Sequence, residues 1–277
     1  MSTTRSIRYL LASVLLTICT AVGAVELNGG AVQGGLIFGM AEPGSRVLLD
    51  GNGIAISEDG RFVIGFGRDE TGARVLEVTS PGGQVFKQEL PVKPSKYDIE
   101  KVEGLPPKMV TPDPESAARI REDARMVANA REHRDKHAWY ASGFEWPAKG
   151  RISGVYGSQR ILNGQPRNPH YGLDIAAPEG AGVYAPADGL VTLAHPDLYY
   201  SGGTLIIDHG QGLSSTFLHL SKILVEAGAF VKQGDLIARV GATGRASGPH
   251  LDWRMNWLDR RVNPQLLVAG SSAPEPD

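Results

Sequence analysis

The chain has 277 residues, with 28 basic and 30 acidic side chains and a formal net charge of −2. That balance argues against nucleic acid as a partner, because there is no basic excess to meet phosphates. The length is sufficient for two small domains with cores of their own. The content of 35 glycines and 18 prolines favours a β-rich architecture with many turns. Cys19 is the single cysteine, so no disulfide can form within one chain.

Residues 1–24 are predicted to be a secretory signal peptide. Arg5 and Arg8 precede an apolar run over residues 9–22, and Val22-Gly23-Ala24 supplies small residues before a cleavage point. The apolar run is short for a membrane span, and an uncleaved anchor is the alternative. We therefore expect the mature protein to act outside the cytoplasm, in the periplasm or cell envelope.

Residues 25–95 are predicted to form a small β-sandwich. Turn signals such as Gly51-Asn52-Gly53 and Asp59-Gly60 separate short alternating runs. These runs cover residues 45–50, 61–66, 74–79 and 84–90. Regular short strands of this kind are typical of an immunoglobulin-like module. The module carries no cluster of ionisable residues, so we expect it to act as a spacer or docking module rather than in catalysis.

Residues 96–143 are predicted to be a proline-rich linker followed by a helix. Prolines in the run Leu105-Pro106-Pro107 stiffen the linker. Asp113 is a good N-cap and Pro114 fits the first helical turn, so we expect a helix that ends near residue 133. Its apolar stripe is too thin for a core helix. We expect the helix to lie on one of the domains or to contact a partner.

Four histidines lie outside the motifs described below. His133 and His137 are four residues apart, a spacing that could clamp a metal if both lay on the helix. The alternative is a pair of solvated residues near a helix end. His195 and His209 fall at predicted turns, so we expect exposed loop residues without a role.

Residues 144–269 are predicted to form a second β domain, followed by a disordered tail over residues 270–277. Short apolar runs separated by glycine-rich turns indicate the strands of this domain. Residues 158–167 are interpreted as a loop that contributes to the wall of a substrate groove.

Gly248-Pro249-His250-Leu251-Asp252-Trp253 carries chemistry near the end of this domain. On a strand, alternation places His250 and Asp252 on one face and Leu251 and Trp253 on the other. Two side chains that can bind metal therefore point one way, while apolar side chains pack behind them.

Two earlier segments add further candidate ligands. His170 and Asp174 are four residues apart, so they share a face if they lie on a strand. His219 lies within the apolar run over residues 215–220. Together with the last motif, these segments supply three histidines and two carboxylates. A catalytic zinc site needs three protein ligands and one open position, which leaves two histidines to handle protons.

In this order, H-x3-D, F-L-H-L-S and V-K-Q-G-D-L-I-A-R-V-G-A-T-G-R-A-S-G-P-H-L resemble the M23 (lysostaphin-type) family of zinc metallopeptidases. The similarity covers about residues 144–268. It implies an antiparallel sheet with an open groove, a bound Zn²⁺ and hydrolysis of peptide crosslinks in bacterial peptidoglycan. Carried over residue by residue, it implies His170, Asp174 and Asp252 as metal ligands, and His219 and His250 as the catalytic pair.

Asp252 departs from the family pattern, in which the last motif is usually H-x-H. A second carboxylate neutralises the metal more fully, so we expect it to acidify a bound water less. It also makes the ligand set richer in oxygen, which admits other divalent metals. One alternative is therefore a degenerate M23 domain that binds cell wall or activates a separate amidase. A secreted structural protein without a role in the wall ranks third.

Overall fold

A computed structural model of the protein describes residues 25–103 and 114–268. The predicted signal peptide with Cys19, residues 104–113 of the predicted linker and the predicted tail lie outside the described residues. The fold is mainly β, as predicted, and its described part contains one α-helix. No helix in this part combines the length and apolar character that a membrane crossing requires.

Eight strands precede the helix. They are β1 (Glu26–Gly29), β2 (Leu36–Met40), β3 (Arg46–Leu49), β4 (Asn52–Gly53), β5 (Arg61–Gly65), β6 (Ala73–Thr79), β7 (Val85–Pro91) and β8 (Ile99–Val102). The helix is α1 (Pro114–Glu132), and a 3-10 helix follows at Trp139–Ser142.

Thirteen strands follow the helix. They are β9 (Arg151–Gly154), β10 (Gln159–Leu162), β11 (Gln165–Pro166), β12 (Leu173–Ala176), β13 (Gly182–Tyr184), β14 (Gly189–Leu198), β15 (Gly202–Asp208), β16 (Leu213–Leu220), β17 (Lys222–Ile223), β18 (Phe230–Val231), β19 (Leu236–Arg239), β20 (His250–Trp257) and β21 (Arg260–Val262). A second 3-10 helix lies at Pro264–Leu266.

The N-terminal module consists of two antiparallel sheets, in the orders β1-β2-β5 and β4-β3-β6-β7. Phe62 and Ile64 of the first sheet and Leu76 and Val78 of the second are buried in the same hydrophobic core. Strand β6 alternates and buries one face, whereas Phe62, Val63 and Ile64 of β5 are buried on both faces of their sheet. The four strands predicted over this region are present, and the immunoglobulin-like character of the module stays a prediction.

Two segments differ from their predicted structure. Residues 99–102, within the predicted linker, form β8 and pair in parallel with β10. Residues 158–167, interpreted as a loop, contain the β10–β11 hairpin. The backbone groups of β10 therefore find partners on both sides, one of them about 60 residues away in the chain. Such long-range pairing leaves little signal in local sequence.

The C-terminal domain is built on an eight-stranded sheet in the order β18-β14-β15-β16-β20-β12-β9, with β21 also paired to β20. Strand β20 lies between β16 and β12. Its residues Leu251, Trp253, Met255 and Trp257 are almost completely buried, and all four alternate onto one face. Trp253 also packs edge-on against Trp146, with ring centroids 6.5 Å apart. The opposite face of β20 is left for the polar residues.

Helix α1 packs against β14 and β15, in agreement with the expectation that it lies on a domain. Arg119 donates a hydrogen bond to the Asp197 carboxylate at 2.8 Å. Near the end of the helix, Arg131 Nη2 donates to Thr216 Oγ1 at 3.0 Å. Since Thr216 lies directly opposite Arg254 in the sheet, α1 stands as a wall beside the polar face of β20.

The N-terminal module is attached to the C-terminal domain by polar contacts. Arg260 Nε lies 3.1 Å from Glu70 Oε2. Arg68 Nε donates to the carbonyl of Gly157 at 2.7 Å. The N–H of Asn263 donates to the carbonyl of Gly34, in the N-terminal module, at 2.7 Å. The sandwich therefore packs beside β21, beyond the end of the polar face.

Candidate metal centre and groove

The sheet register brings the two candidate carboxylate ligands together. Asp174 of β12 lies opposite Asp252 of β20, and Ala176 lies opposite His250. On the other side of β20, Leu218 of β16 is the partner of Asp252. Directly opposed residues of antiparallel strands project from the same face, with Cβ atoms about 4.5–5.5 Å apart. Both carboxylates therefore stand on the polar face of the sheet.

His170 completes the set, although it lies in the loop before β12 rather than on a strand as expected. Its backbone N–H donates to the carbonyl of Ser158 at 2.8 Å, which anchors the loop. Its Nε2 atom lies 3.0 Å from Asp174 Oδ1 and 3.6 Å from Asp252 Oδ2. One ligand atom from each of the three residues lies within 4.8 Å of the other two. The structure thus gathers the three predicted ligands at one point.

The donor atoms of this cluster fit a divalent cation. Both ring nitrogens of His170 and Oδ1 of Asp174 are buried, and apart from the close approach of Nε2 to the two carboxylates they make no hydrogen bond within the protein. A buried polar atom without a partner costs about 1–3 kcal/mol, so such atoms in a group need an occupant. One imidazole and two carboxylates are ligands that zinc and other divalent transition metals accept. These residues would hold the metal.

Protonation of the metal-free cluster follows from the same contacts. Burial lowers the pKa of His170, but its interactions with Asp174 and Asp252 outweigh burial and raise that pKa to about 9. Burial raises the pKa of Asp252, yet the charge of Arg254 and the contact with His170 hold it well below its ordinary value. Without metal, an imidazolium therefore sits between two carboxylates, and a cation that binds there must displace its proton.

Two glycines leave room for the carboxylates. A Cβ atom on Gly172 would lie 2.0 Å from Asp252 Oδ1, and one on Gly154 would lie 2.3 Å from Asp174 Oδ2. Real Cβ atoms do not approach that closely, so any larger residue would push a carboxylate away. Each glycine therefore maintains the position of one carboxylate.

Two arginines that were not among the predicted site residues form hydrogen bonds to these carboxylates. Arg254 donates from Nε to Asp252 Oδ1 at 3.0 Å and from Nη2 to Oδ2 at 2.5 Å. Arg160 Nη2 donates to Asp174 Oδ2 at 3.3 Å. Alternation could have revealed Arg254, because His250, Asp252 and Arg254 are successive residues on one strand face. Arg160 carried no such signal, because its segment was interpreted as a loop.

The two remaining candidate residues, His219 and His250, form a pair beside the cluster, with ring centroids 4.8 Å apart. His219 Nδ1 lies 2.8 Å from the carbonyl of Thr243, and His250 Nδ1 lies 2.8 Å from the carbonyl of Gly248. A carbonyl only accepts, so each Nδ1 carries a proton, and each Nε2 is directed away from that anchoring contact. His250 Nε2 is 3.9 Å from Asp174 Oδ1, so this nitrogen lies at the metal centre.

His219 adopts a left-handed backbone conformation, with φ of 63°. Its N–H leaves the strand ladder and donates to the carbonyl of Ser201 at 2.8 Å. Such a conformation is uncommon outside glycine and persists where the surroundings enforce it. Burial lowers the pKa of His219, so the ring is neutral at pH 7 and can accept a proton.

The expectations for the other histidines were partly wrong. His209 is fully buried rather than exposed, with Nδ1 2.7 Å from the carbonyl of Asp188 and Nε2 2.8 Å from Ser215 Oγ. These partners make its burial tolerable, and burial lowers its pKa to about 4. His195 lies within strand β14 rather than at a turn, because β14 extends to Leu198.

The His133–His137 spacing does not produce a metal clamp in the structure. Helix α1 ends at Glu132, so neither histidine lies on it. His133 Nδ1 instead lies 2.6 Å from Asp208 Oδ2, and His137 pairs with Asp135. Among the described residues, the only possible metal cluster is the one formed by His170 and the two aspartates.

Comparison with known families agrees with this geometry. The peptidase family M23 profile matches residues 168–264, which include all five candidate residues. The chain resembles the peptidoglycan DD-endopeptidase ShyB of Vibrio cholerae, with 45% identity over 97 residues, 34% of this chain and 22% of that protein. ShyA of the same organism is 40% identical over 119 residues, 42% of this chain and 27% of that protein.

A third relative is the cell division protein DipM of Caulobacter vibrioides, which is 34% identical over 168 residues. That match covers 57% of this chain and 26% of DipM. The chain thus spans about a quarter of the length of these curated relatives. A solved structure from Pseudomonas aeruginosa, assigned to peptidase M23, superposes with a TM-score of 0.63 and 29% identity, over 85% of this chain and 94% of that one. That likeness extends beyond residues 168–264, which the M23 profile matches, into the N-terminal part of the chain.

Proposed function

We propose that this protein is a zinc-dependent endopeptidase of the cell envelope that hydrolyses peptide crosslinks of bacterial peptidoglycan. The observation that carries the proposal is the meeting of three buried ligand residues with two neighbouring histidines, His219 and His250. The relatives named as peptidoglycan DD-endopeptidases support the substrate. When bound, zinc would lower the pKa of a water molecule and polarise the carbonyl of the peptide bond.

The residues of the chain divide the remaining work. His170, Asp174 and Asp252 would hold the metal on the polar face of β20. His219 and His250 present free Nε2 atoms beside it, so one accepts a proton from the attacking water. The same ring, now protonated at Nε2, can donate a hydrogen bond to the oxyanion and returns the proton to the leaving amine. Both rings are fixed through Nδ1, so their orientation is set before substrate arrives.

Arg254 and Arg160 partly neutralise the negative charge that the second carboxylate adds to this ligand set. Two carboxylates in the ligand set are expected to weaken the metal as a Lewis acid. In the structure each carboxylate is also bound by a guanidinium, which withdraws part of its negative charge. A carboxylate has about four lone-pair positions, so Asp252 can bind Arg254 and still offer one to a metal.

The proposal is tested with purified crosslinked muropeptides. The zinc-loaded protein should convert crosslinked dimers to monomers, a chelator should stop the reaction, and added zinc should restore it. An intact dimer after prolonged incubation with zinc-loaded protein would contradict the proposal.

One observation favours a second function, in which the M23 domain binds cell wall or activates a separate amidase. Arg254 contacts both oxygens of Asp252, so a fixed cation already stands at one ligand. If this ion pair outcompetes zinc, the groove would bind peptide without cleaving it. A protein that binds no zinc, leaves crosslinks intact and stimulates a partner amidase would establish this function.

A further inference from the structure

Three arginines lie next to the metal centre on the polar face of the sheet. Arg254 lies on strand β20, two residues beyond Asp252. Arg131 extends from helix α1 to the same face. Its Nη2 donates a hydrogen bond to the hydroxyl of Thr216, the residue opposite Arg254 in the sheet. Arg261 reaches this face from β21, where Nη1 donates to Asn256 Oδ1 at 3.1 Å. The three residues, here called the arginine cluster, thus converge from a strand, a helix and an edge strand.

The arginine cluster has too few negative partners. In the described part of the chain, Asp252 is the only carboxylate that pairs with any of the three. Arg131 and Arg261 bind a hydroxyl and an amide oxygen instead, and Arg261 also lies over the Tyr171 ring, so neither guanidinium is paired with a carboxylate among the described residues. Burial and the neighbouring guanidinium of Arg254 lower the pKa of Arg261 to about 10. Like charges held together in a partly buried site are unfavourable unless an anion joins them.

Several donor groups of the cluster are also unused. Arg131 Nε is shielded from solvent and has no hydrogen-bond partner. Among described residues, Arg254 makes hydrogen bonds only through Nε and Nη2, and Arg261 only through Nη1. Each guanidinium offers five N–H donors in a planar fork that matches the two oxygens of a carboxylate. The residual donors therefore suit an oxyanion rather than a neutral group.

The order of groups along β20 places this site relative to the proposed chemistry. His250 begins the strand, Asp252 follows, and Arg254 and Asn256 come next on the same face. At about 3.3 Å per residue, Arg254 lies roughly 7 Å from Asp252, and Asn256 lies roughly 13 Å from it. An extended peptide has the same rise per residue. A peptide residue at the arginine cluster would therefore lie two to four residues from the peptide residue at Asp252.

We propose that the arginine cluster binds a carboxylate of the substrate peptide, two to four residues from the bond at the metal centre. This inference rests on the proposed function for the position of the cut bond, but the binding itself requires no hydrolysis. The substrate class is therefore acidic peptides, and amidation of the carboxylate removes the group that the site recognises.

The test measures binding without cleavage in the zinc-loaded, full-length chain carrying His219→Ala. Two probes share one sequence, a synthetic stem peptide of peptidoglycan with free carboxylates and its fully amidated form. The acidic peptide should bind about 10- to 100-fold more tightly, as expected for charge-assisted, bidentate pairing. In the same background, Arg261→Gln should reduce that preference to about twofold, and Arg261→Lys should retain part of it because the charge remains.

Matched variants protect the test against misfolding. Arg131→Gln removes the cluster from the helix side and should give the same loss of preference as Arg261→Gln. Arg125→Gln alters an exposed arginine on the same helix, paired with Glu122, and should leave the preference unchanged. Equal binding of the two peptides by the parent protein would overturn the proposal, as would a preference that survives both cluster variants.

Competition with inorganic phosphate distinguishes a peptide carboxylate from a free anion as the group that binds the arginine cluster. If the site recognises the peptide, phosphate should compete weakly and only when Arg261 is present. If phosphate binds in an Arg261-dependent way while the two peptides bind equally, the site takes a free anion and the proposal is wrong. A failure to hydrolyse crosslinks would overturn the proposed function alone, since none of these measurements uses hydrolysis.

Discussion

The two β regions of this protein treat polar residues in opposite ways. The polar residues that the sandwich buries are two serines, Ser45 and Ser57, and its shielded Glu70 carboxylate is paired with Arg74 and Arg260. The C-terminal domain buries His170, Asp174, Asp252 and His219, together with the neutral His209. Buried ionisable groups cost free energy unless they are paired, so a fold retains them where they have a task. The contrast locates chemistry in one region and leaves the other as a module that packs and docks.

If the chemistry lies in the C-terminal domain, the largest effect on activity should come from a change in the histidine pair. His219→Ala should lower the rate of crosslink cleavage by about 10²–10⁴-fold, the usual range for loss of a general acid or base. Zinc content should not change, because His219 is not one of the three ligands. Muropeptide chromatography measures the rate. His137→Ala, an exposed histidine outside the groove, is the control and should retain full activity; equal losses in both variants would contradict the assignment.

The pH dependence of stability should also separate the regions. The folded-state pKa of His170 is about 9, above its ordinary value of 6.5. Its contribution is therefore complete below pH 6.5 and disappears as pH rises through 9. We expect the free energy of unfolding of the metal-free protein to fall by about 3 kcal/mol over that window.

Urea denaturation in chelator at several pH values measures this slope. His170→Asn is the control, since asparagine does not titrate and should remove most of the fall. The sandwich contributes no histidine, because the first histidine of the chain is His133. The same slope in His170→Asn would show that another group titrates instead.

A glycine exchange compares the regions directly. Gly172→Ala places a methyl group against the Asp252 carboxylate, so zinc affinity should weaken by about 10- to 100-fold, as for other disturbed supports of a ligand. Gly53→Ala in the sandwich has open space around the new Cβ and should leave zinc affinity unchanged. Competition with a fluorescent chelator measures both. Unaltered affinity in Gly172→Ala would mean that Asp252 does not bind the metal.

The smallest effect is expected on the sandwich surface. Lys87 Nζ lies 3.6 Å from Glu77 Oε2, and the Lys87 side chain is largely exposed. Exposed pairs of this kind contribute about 0–1 kcal/mol, so Lys87→Gln should change stability by no more than that and leave zinc binding unaltered. Thermal denaturation and zinc titration together check this. A large loss of zinc affinity would make the sandwich part of the site.

Local sequence predicted those parts of the molecule that depend on alternation. The period of two along residues 250–253 placed the polar residues on one face and Leu251 and Trp253 on the other, as the structure has them. The strands of the sandwich and helix α1 followed from turn signals and from Asp113-Pro114 in the same way.

Contacts between distant segments could not be predicted in this way. Strand β8 forms because β10 offers it a free edge, and nothing local in residues 99–102 indicates that partner. His209 is buried because Asp188 and Ser215 satisfy its ring from other strands. The guanidinium of Arg160 approaches Asp174 only after β10 has formed. These features depend on tertiary structure, which overrides local propensity.

The metal content of the purified protein tests the proposed centre most directly. After incubation with zinc and removal of excess metal, the wild-type chain should retain about one zinc per molecule, as three converging ligands require. Asp252→Ala should retain far less, while Asp197→Ala, which alters an exposed aspartate, should match the wild type. A wild-type protein without stoichiometric zinc, or full retention in Asp252→Ala, would contradict the assignment of this cluster as the metal site.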